Sequence, residues 1–522
     1  MIITSQFPPV EVLDVPIHEA VLGRAQEYGD RPAMVDGVTG KELSYAQLDV
    51  MTRRVAAGLA ELGIRHGDVI AIYSPNTILY PVVFYGATRA GATVTTVNAL
   101  YTADELHKQL VDSKAKLLVT ISLFLPVATA AIDGTDVTEI FVCDSAEGYR
   151  SVMELLASTG PEPEVSIDPA NDVAVLPYSS GTTGVAKGVM LTHRNIATNI
   201  AQAEPMITLG EDERIIAILP FFHIYGLSVL MNLPLRLGAT VVVLPKFELQ
   251  QFLTTLDQQR ITRAFVAPPV VLALAKHPAV DGVDLSALKH VTSAAAPLDG
   301  ELAEACAKRL GLHAVLQAYG MTELSPGTHA VPQDDPEPPP GAVGKLFPST
   351  EMRLVGADGN DVGDDETGEI WIRGPQVMKG YLGRPAETDA TVDQDGWLHT
   401  GDIGRMDARG YLYVVDRVKE LIKYHGYQVP PAELEAVLLT DDRIADAAVI
   451  GVQADGNEVP KAFVVPMPGV ELTADDVIEY VAARVAPYKK IRQVEFIDAV
   501  PKAASGKILR RELRAREAAA RE

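Results

Sequence analysis

From Ser44 to Leu310 short apolar runs alternate with amphipathic stretches, and that rhythm limits the folds open to the chain. The runs Asp68–Tyr73, Ala92–Val97, Lys116–Ile121, Phe141–Asp144 and Val173–Pro177 are too short for helices and read as buried strands. Ser44-Tyr-Ala-Gln47 and Thr102-Ala-Asp-Glu105 are capping boxes that open amphipathic helices, the first running to about Leu62. Thr77–Ala90 reads as a further helix. The pattern resumes with strands at Ile215–Leu219, Thr240–Leu244, Arg263–Val266 and His290–Ser293. Helices fit at Leu227–Leu235, Glu248–Gln258, Pro269–Lys276 and Leu298–Leu310. Such alternation predicts an α/β fold, parallel sheets with helices on both faces.

The rhythm then changes twice. From about Gly341 to Tyr413, Gly-Asp pairs and short alternating strands (Glu369–Ile372, Gly410–Val414) predict a small antiparallel β unit. After Lys419 come a helix at Ala432–Leu439, strands at Ala445–Gly451 and Lys461–Val465, and a helix at Ala474–Val485. These read as a compact α+β domain. The expected division is a large N-terminal domain, 1–418, and a C-terminal domain, 419–522.

A net charge of −24 argues against a nucleic-acid partner, so any phosphate site must be built locally from a few cations and backbone donors. The two cysteines, Cys143 and Cys306, exclude a disulfide framework or a cysteine-rich metal site and fit a reducing cytoplasm. The N-terminus shows no signal-peptide pattern and the C-terminus no address signal, so a cytoplasmic protein is expected. Ile215–Leu235 lacks charge and could span a bilayer, but Pro220, His223, Asn232 and Pro234 interrupt it. It divides better into a strand, a turn and a buried helix, so no membrane insertion is expected.

Five clusters can carry chemistry. Tyr178-Ser-Ser-Gly-Thr-Thr-Gly-Val-Ala-Lys-Gly188 lies between a predicted strand and the capped helix start Thr192-His-Arg-Asn. Hydroxyls, glycines and Lys187 could wrap phosphate oxygens. It is not a Walker A loop, since Gly188 follows Lys187, and composition alone equally suits a flexible surface loop. Gln317-Ala-Tyr-Gly-Met-Thr-Glu323 offers an aromatic face and a carboxylate, fit to stack adenine and hold Mg²⁺, or else a solvated turn. Gly396-Trp-Leu-His-Thr-Gly-Asp402, with Arg417 following, suits a strand-end aspartate for ribose hydroxyls, or an Asp-Gly turn. Asp416-Arg-Val-Lys-Glu-Leu-Ile-Lys-Tyr-His-Gly-Tyr-Gln428 sets cations and a glycine at the domain junction. Pro501-Lys-Ala-Ala-Ser-Gly-Lys507 presents a lysine on a turn before a helix at Ile508–Arg514.

In this order and spacing the clusters resemble the adenylate-forming superfamily of acyl-CoA synthetases, adenylation domains and luciferases over essentially the whole chain. Pro220-Phe-Phe-His-Ile-Tyr-Gly-Leu227, Tyr319-Gly-Met-Thr-Glu323 and Val418-Lys-Glu-Leu-Ile-Lys423 look most like bacterial 4-coumarate–CoA ligases. The resemblance implies two steps. A carboxylate attacks the α-phosphate of MgATP to give an acyl-adenylate and pyrophosphate, and coenzyme A then displaces AMP. It assigns Ser179, Ser180, Gly181, Thr182, Thr183, Gly184 and Lys187 to the β- and γ-phosphates. Gln317, Ala318, Tyr319, Gly320 and Thr322 go to the nucleotide, Asp402 and Arg417 to the ribose, and Glu323 to Mg²⁺. Lys507 bridges carboxylate and α-phosphate, and Lys419 marks the hinge of a mobile C-terminal domain.

Lys423 and Gln428 match residues of the acyl-adenylate and second-step sites, and His223 the carboxylate entrance. Lys246, His425 and Gly426 match coenzyme A contacts, although His425 stands where the coumarate ligases have lysine. The acyl pocket is expected at Tyr225, Val229, Ala294, Ala295, Ala318 and Pro326. Alanines in Thr292-Ser-Ala-Ala-Ala-Pro297 and at Ala318, where glycine is common, take space, so unsubstituted or singly hydroxylated rings are expected over methoxylated ones. The alternatives are a medium-chain fatty acyl-CoA synthetase and an adenylation protein loading a carrier protein. A non-catalytic binder is disfavoured by Glu323 and Lys507. Monomer or dimer stays open.

Overall fold

The computed structural model describes residues 1–179, 186–363, 365–417, 419–424, 427–454, 457–503 and 506–519. Among them two nine-stranded sheets form the body of the molecule. In the first, Val69–Ile72 lies parallel to Thr93–Thr96 on one side and Ala115–Thr120 on the other. In the second, Pro32–Asp36, Thr240–Val243, Arg214–Ala217, Arg263–Val266, His290–Ser293 and Val315–Gly320 run parallel in that order. Thr240–Val243 and Arg263–Val266 are buried at every position, as strands covered on both faces must be. One apolar core runs through both sheets.

The expected helices form where their caps predict. Ser44 and Thr102 complete reciprocal capping boxes with Gln47 and Glu105. Thr192 does the same with Asn195 and starts the helix His193–Ala203. Antiparallel strands close the sheet edges: Lys187–Thr192 returns along Val173–Val175, and Gly327–Ala330 along Val315–Gly320.

The expected β unit is a five-stranded antiparallel sheet of Ile3–Thr4, Glu351–Val355, Gly368–Arg373, Leu398–Met406 and Leu412–Arg417. Its first strand comes from the N-terminus, and two residues are too few to show alternation in sequence. Asp402 lies inside the strand Leu398–Met406, not at a strand end as its motif suggested. The cluster's first residues, Gln317–Gly320, form the end of a strand, Val315–Gly320. The strand expected at Phe141–Asp144 runs from Glu139 to Val142. The helix expected at Leu227–Leu235 begins as a π-helical stretch, Gly226–Asn232, and becomes α-helical at Leu233–Arg236. Glycine is required there, since a Cβ on Gly226 would lie 2.1 Å from the Pro220 carbonyl oxygen.

The small C-terminal domain has its own cores. It pairs Ile444–Ala454 with Asn457–Pro466 antiparallel and adds Gln493–Phe496 parallel. The helices Pro431–Leu439, Ala474–Ala482 and Arg510–Ala519 cover it. It is docked on the larger body: Asp416 Oδ2 accepts from the Ala432 N–H at 3.1 Å, and Lys276 Nζ donates to the Leu439 carbonyl at 3.3 Å. No helix among the described residues is long and apolar enough to cross a membrane.

Candidate active site

A cavity of about 2550 Å³ opens where Arg263–Val266, His290–Ser293 and Val315–Gly320 end, and the C-terminal domain closes over it. In open α/β sheets the carboxyl ends of the strands are where ligands bind. Three regions of this cavity differ in chemistry.

The first is built on paired strands of the β unit. Asp402 and Arg417 are cross-strand partners, and Arg417 Nε lies 3.1 Å from Asp402 Oδ1. Tyr319 donates its hydroxyl to the other oxygen, Oδ2, at 2.7 Å. Burial, then Asp402, holds the Tyr319 phenol protonated. A buried carboxylate beside an aromatic face suits a ribose and its base.

The second region surrounds Lys187, which is buried with Nζ 4.2 Å from the centre of the Tyr381 ring. The Tyr381 hydroxyl donates to Glu323 Oε1 at 2.9 Å. Tyr381 thus couples the cation to the carboxylate, and it does so because Gly380–Tyr381 pairs with the strand starting at Lys187. No sequence signal marked Tyr381, since it lies far from both partners along the chain. Gly320 is close-packed: a Cβ there would lie 1.9 Å from the Pro326 carbonyl oxygen. Ser179 lines the cavity, while Ser180, Gly181, Thr182, Thr183 and Gly184 fall outside the described residues.

Magnesium fits the donor set if phosphates carry it in. Among the described residues no group of three or more His, Cys, Asp or Glu could hold a metal. Mg²⁺ is commonly bound by one or two carboxylates plus phosphate and water, and the buried Glu323 supplies one.

The expected acyl-pocket residues Tyr225, Val229, Ala294, Ala295, Ala318 and Pro326 all line the cavity and give its third, more apolar set of side chains. The Tyr225 hydroxyl is buried with no hydrogen-bond partner among the described residues. His223 Nδ1 accepts from the Tyr225 backbone N–H at 3.3 Å, so Nε2 carries the ring proton. Burial and the neighbouring Lys507 lower the His223 pKa to about 4, leaving a neutral donor at pH 7. Ala295 has φ 75°, a conformation that favours glycine.

Lys507 and Lys419 line the same cavity. Burial lowers the Lys507 pKa to about 8, helped by Arg417 and opposed by Asp402, Glu420 and Glu323. Gln317, Gly320 and Thr322 also line it. Lys246 and Lys423 are exposed and are not part of the lining, with Lys423 on the hairpin Ile422–Tyr424/Tyr427–Val429. His425, Gly426 and the Gln428 side chain lie outside what is described.

The model of the AMP-binding enzyme family matches residues 22–382, and that of the AMP-binding enzyme C-terminal domain matches 433–507. The chain belongs to the AMP-binding enzymes. This AMP-binding enzyme is 42% identical to 4-coumarate–CoA ligase 5 of Oryza sativa subsp. japonica, over 99% of its own length and 97% of the relative. A 4-coumarate–CoA ligase of Narcissus pseudonarcissus is 41% identical with the same coverage, so these relatives are plant proteins and not the bacterial ligases the motifs suggested. The crystal structure of the anthranilate CoA ligase AuaEII with anthranoyl-AMP superposes with a TM-score of 0.90 at 26% identity, covering 98% of this chain and 99% of that one. ATP-bound MatB from Rhodopseudomonas palustris gives 0.86 at 29% identity, over 95% and 98% of the two chains. Apo MatB gives 0.77 at the same identity, over 97% and 99%.

Proposed function

We propose that this AMP-binding enzyme is an ATP-dependent carboxylate–CoA ligase for 4-coumarate and cinnamate-type acids. The Tyr225 hydroxyl carries the substrate reading. The ring lines the cavity while the hydroxyl is buried and unpartnered, and a shift of the side chain would let a para-hydroxyl on the acid's ring satisfy it. An alkyl chain would leave it orphaned. Full-length likeness to 4-coumarate–CoA ligases supports the same class.

In the first step the acid's carboxylate oxygen attacks the α-phosphorus, and the bond to pyrophosphate breaks. Two anions meet, so the Lys507 ammonium lies between them and stabilises charge as it develops. Lys187 adds a second cation at the phosphate end, Asp402 and Arg417 hold the ribose, and Tyr319, with Gln317, Ala318 and Thr322, seats the base. The His223 Nε2–H donates to a carboxylate or adenylate oxygen without adding charge. Mg²⁺ at Glu323 would neutralise phosphate charge when bound. In the second step the coenzyme A sulfur attacks the acyl carbon and AMP leaves.

Lys507 beside Asp402, Glu323 and His223 is an arrangement suited to the first step. The better match to ATP-bound than to apo MatB supports that reading. Rotation of residues 419–522 about Lys419 would then withdraw Lys507 and bring in Lys423, Gln428, His425 and Gly426, with Lys246 receiving coenzyme A. A competition assay tests the assignment: MgATP, coenzyme A and a mixture of cinnamates and C6–C12 fatty acids, thioesters identified by mass. Coumaroyl- or cinnamoyl-CoA should lead. Fatty acyl-CoA in front would overturn the acid class, and pyrophosphate without thioester would overturn the acceptor.

A further inference from the structure

Arg384 lines the cavity, three residues after Tyr381, and neither the motifs nor the mechanism above uses it. Its place follows from the strand pairing. The Leu382 N–H donates to the Gly188 carbonyl at 2.8 Å, and the Arg384 N–H to the Tyr381 carbonyl at 3.2 Å. Arg384 therefore sits one turn beyond the ring that carries Lys187. Its charge is also felt by Tyr178, the residue that opens the Gly/Ser/Thr-rich stretch.

The side chain is poorly paired for a guanidinium. Its Nε is buried with no hydrogen-bond partner among the described residues. One terminal nitrogen forms an ion pair with Glu387 Oε1 at 3.4 Å, with both side chains partly exposed. The Asp112 carboxylate, on the same cavity lining, accepts from the Tyr178 hydroxyl at 2.6 Å. A buried N–H without an acceptor is costly, and a guanidinium's planar fork matches two oxygens of one phosphate. The Arg384 side chain is 32% exposed and lines the same cavity as Lys187, so its guanidinium can turn toward an anionic ligand there.

We propose that Arg384 binds the terminal phosphates of the nucleotide and then the pyrophosphate released from them. This rests on the ligase reading, because only the first half-reaction makes pyrophosphate. Breaking the α–β phosphoanhydride leaves a polyanion that the cavity must hold for the reverse reaction and release for the forward one. Lys187 and Arg384, both on the cavity lining, share its charge.

The test compares wild type, R384Q and R384K in two assays. One forms ATP from coumaroyl-adenylate and pyrophosphate, and the other is calorimetric binding of inorganic pyrophosphate with Mg²⁺. R384Q should raise the KM and Kd for pyrophosphate about tenfold, the worth of one charge-assisted contact. R384K should recover part of that loss. Thioester formation from supplied coumaroyl-adenylate and coenzyme A is the control for folding. Unchanged pyrophosphate constants in R384Q would overturn the proposal, as would an equal loss in the control half-reaction. Absence of ATP formation by the wild type would instead overturn the ligase reading, and calorimetry would still decide the role of Arg384.

Discussion

Tyr319 donates its hydroxyl to Asp402 Oδ2 at 2.7 Å, which locks the aromatic face and the carboxylate of the proposed nucleotide site into one unit. The two residues lie on different sheets, so the bond also fixes the β unit against the larger body. Tyr319→Phe keeps the ring but frees Asp402 to turn. The KM for ATP should rise about three- to tenfold with kcat little changed, the effect of one bond to a charged acceptor. Steady-state kinetics at saturating acid and coenzyme A checks this; an unchanged KM would show that Arg417 alone positions Asp402.

In the proposed mechanism Lys507 gives adenylation a basic limit. Its pKa is lowered to about 8, first by burial and then by Arg417, and only the ammonium can sit between two anions. The working form is therefore full below that value and lost as pH rises through it. The pH profile of kcat/KM for pyrophosphate release, which reports the free enzyme, should fall with an apparent pKa near 8. A flat profile to pH 10 would remove the lysine from the first step.

Lys507→Ala separates the two half-reactions. Pyrophosphate release should drop by at least about a hundredfold, as expected when a main electrostatic stabiliser is lost. Thioester formation from supplied coumaroyl-adenylate should persist. Equal losses in both would sink the proposed rotation about Lys419.

Ala294 and Ala295, adjacent in the proposed acyl pocket, should respond oppositely to glycine in stability. Ala295 is held at φ 75°, where a Cβ is strained, so Ala295→Gly should stabilise the fold by about 1 kcal/mol. Ala294 has no such backbone, and Ala294→Gly should cost about 0.5–1 kcal/mol in chain entropy. Both widen the pocket and should favour substituted over plain cinnamate. Urea unfolding and substrate ranking read the two effects separately.

How far the sequence could be read depended on how local each signal is. Arg263–Val266 and His290–Ser293 were legible to the residue because each is a short segment, too short for a helix, set between two predicted helices in the alternating pattern. The capping boxes at Ser44 and Thr102 were equally clear, each completed within four residues. Long-range geometry was not legible. The strand Ile3–Thr4 is defined only by its partner Glu351–Met352, and Tyr381 gains its place only when Gly380–Tyr381 pairs with Val189–Met190. The π-helical start at Gly226 needs the nearby Pro220 carbonyl to be seen. The motifs at Gln317–Glu323, Asp402–Arg417 and Lys507 could be found one by one, but their meeting in one cavity is a property of the fold.

Tyr225 provides the sharpest test of the acid. Its hydroxyl is buried without a partner among the described residues, and burial pushes the phenol up, so it meets substrate as a neutral group. Against 4-coumarate it gains a hydrogen bond that cinnamate cannot make. Tyr225→Phe should lower kcat/KM for 4-coumarate about tenfold, the worth of one buried hydrogen bond. The same change removes an orphaned polar group from the cinnamate complex, so kcat/KM for cinnamate should hold or rise. The coumarate-to-cinnamate preference is therefore the quantity to measure, since a general disturbance of the pocket would lower both together. If the ratio does not move, the para-hydroxyl lies elsewhere and Tyr225 only shapes the wall.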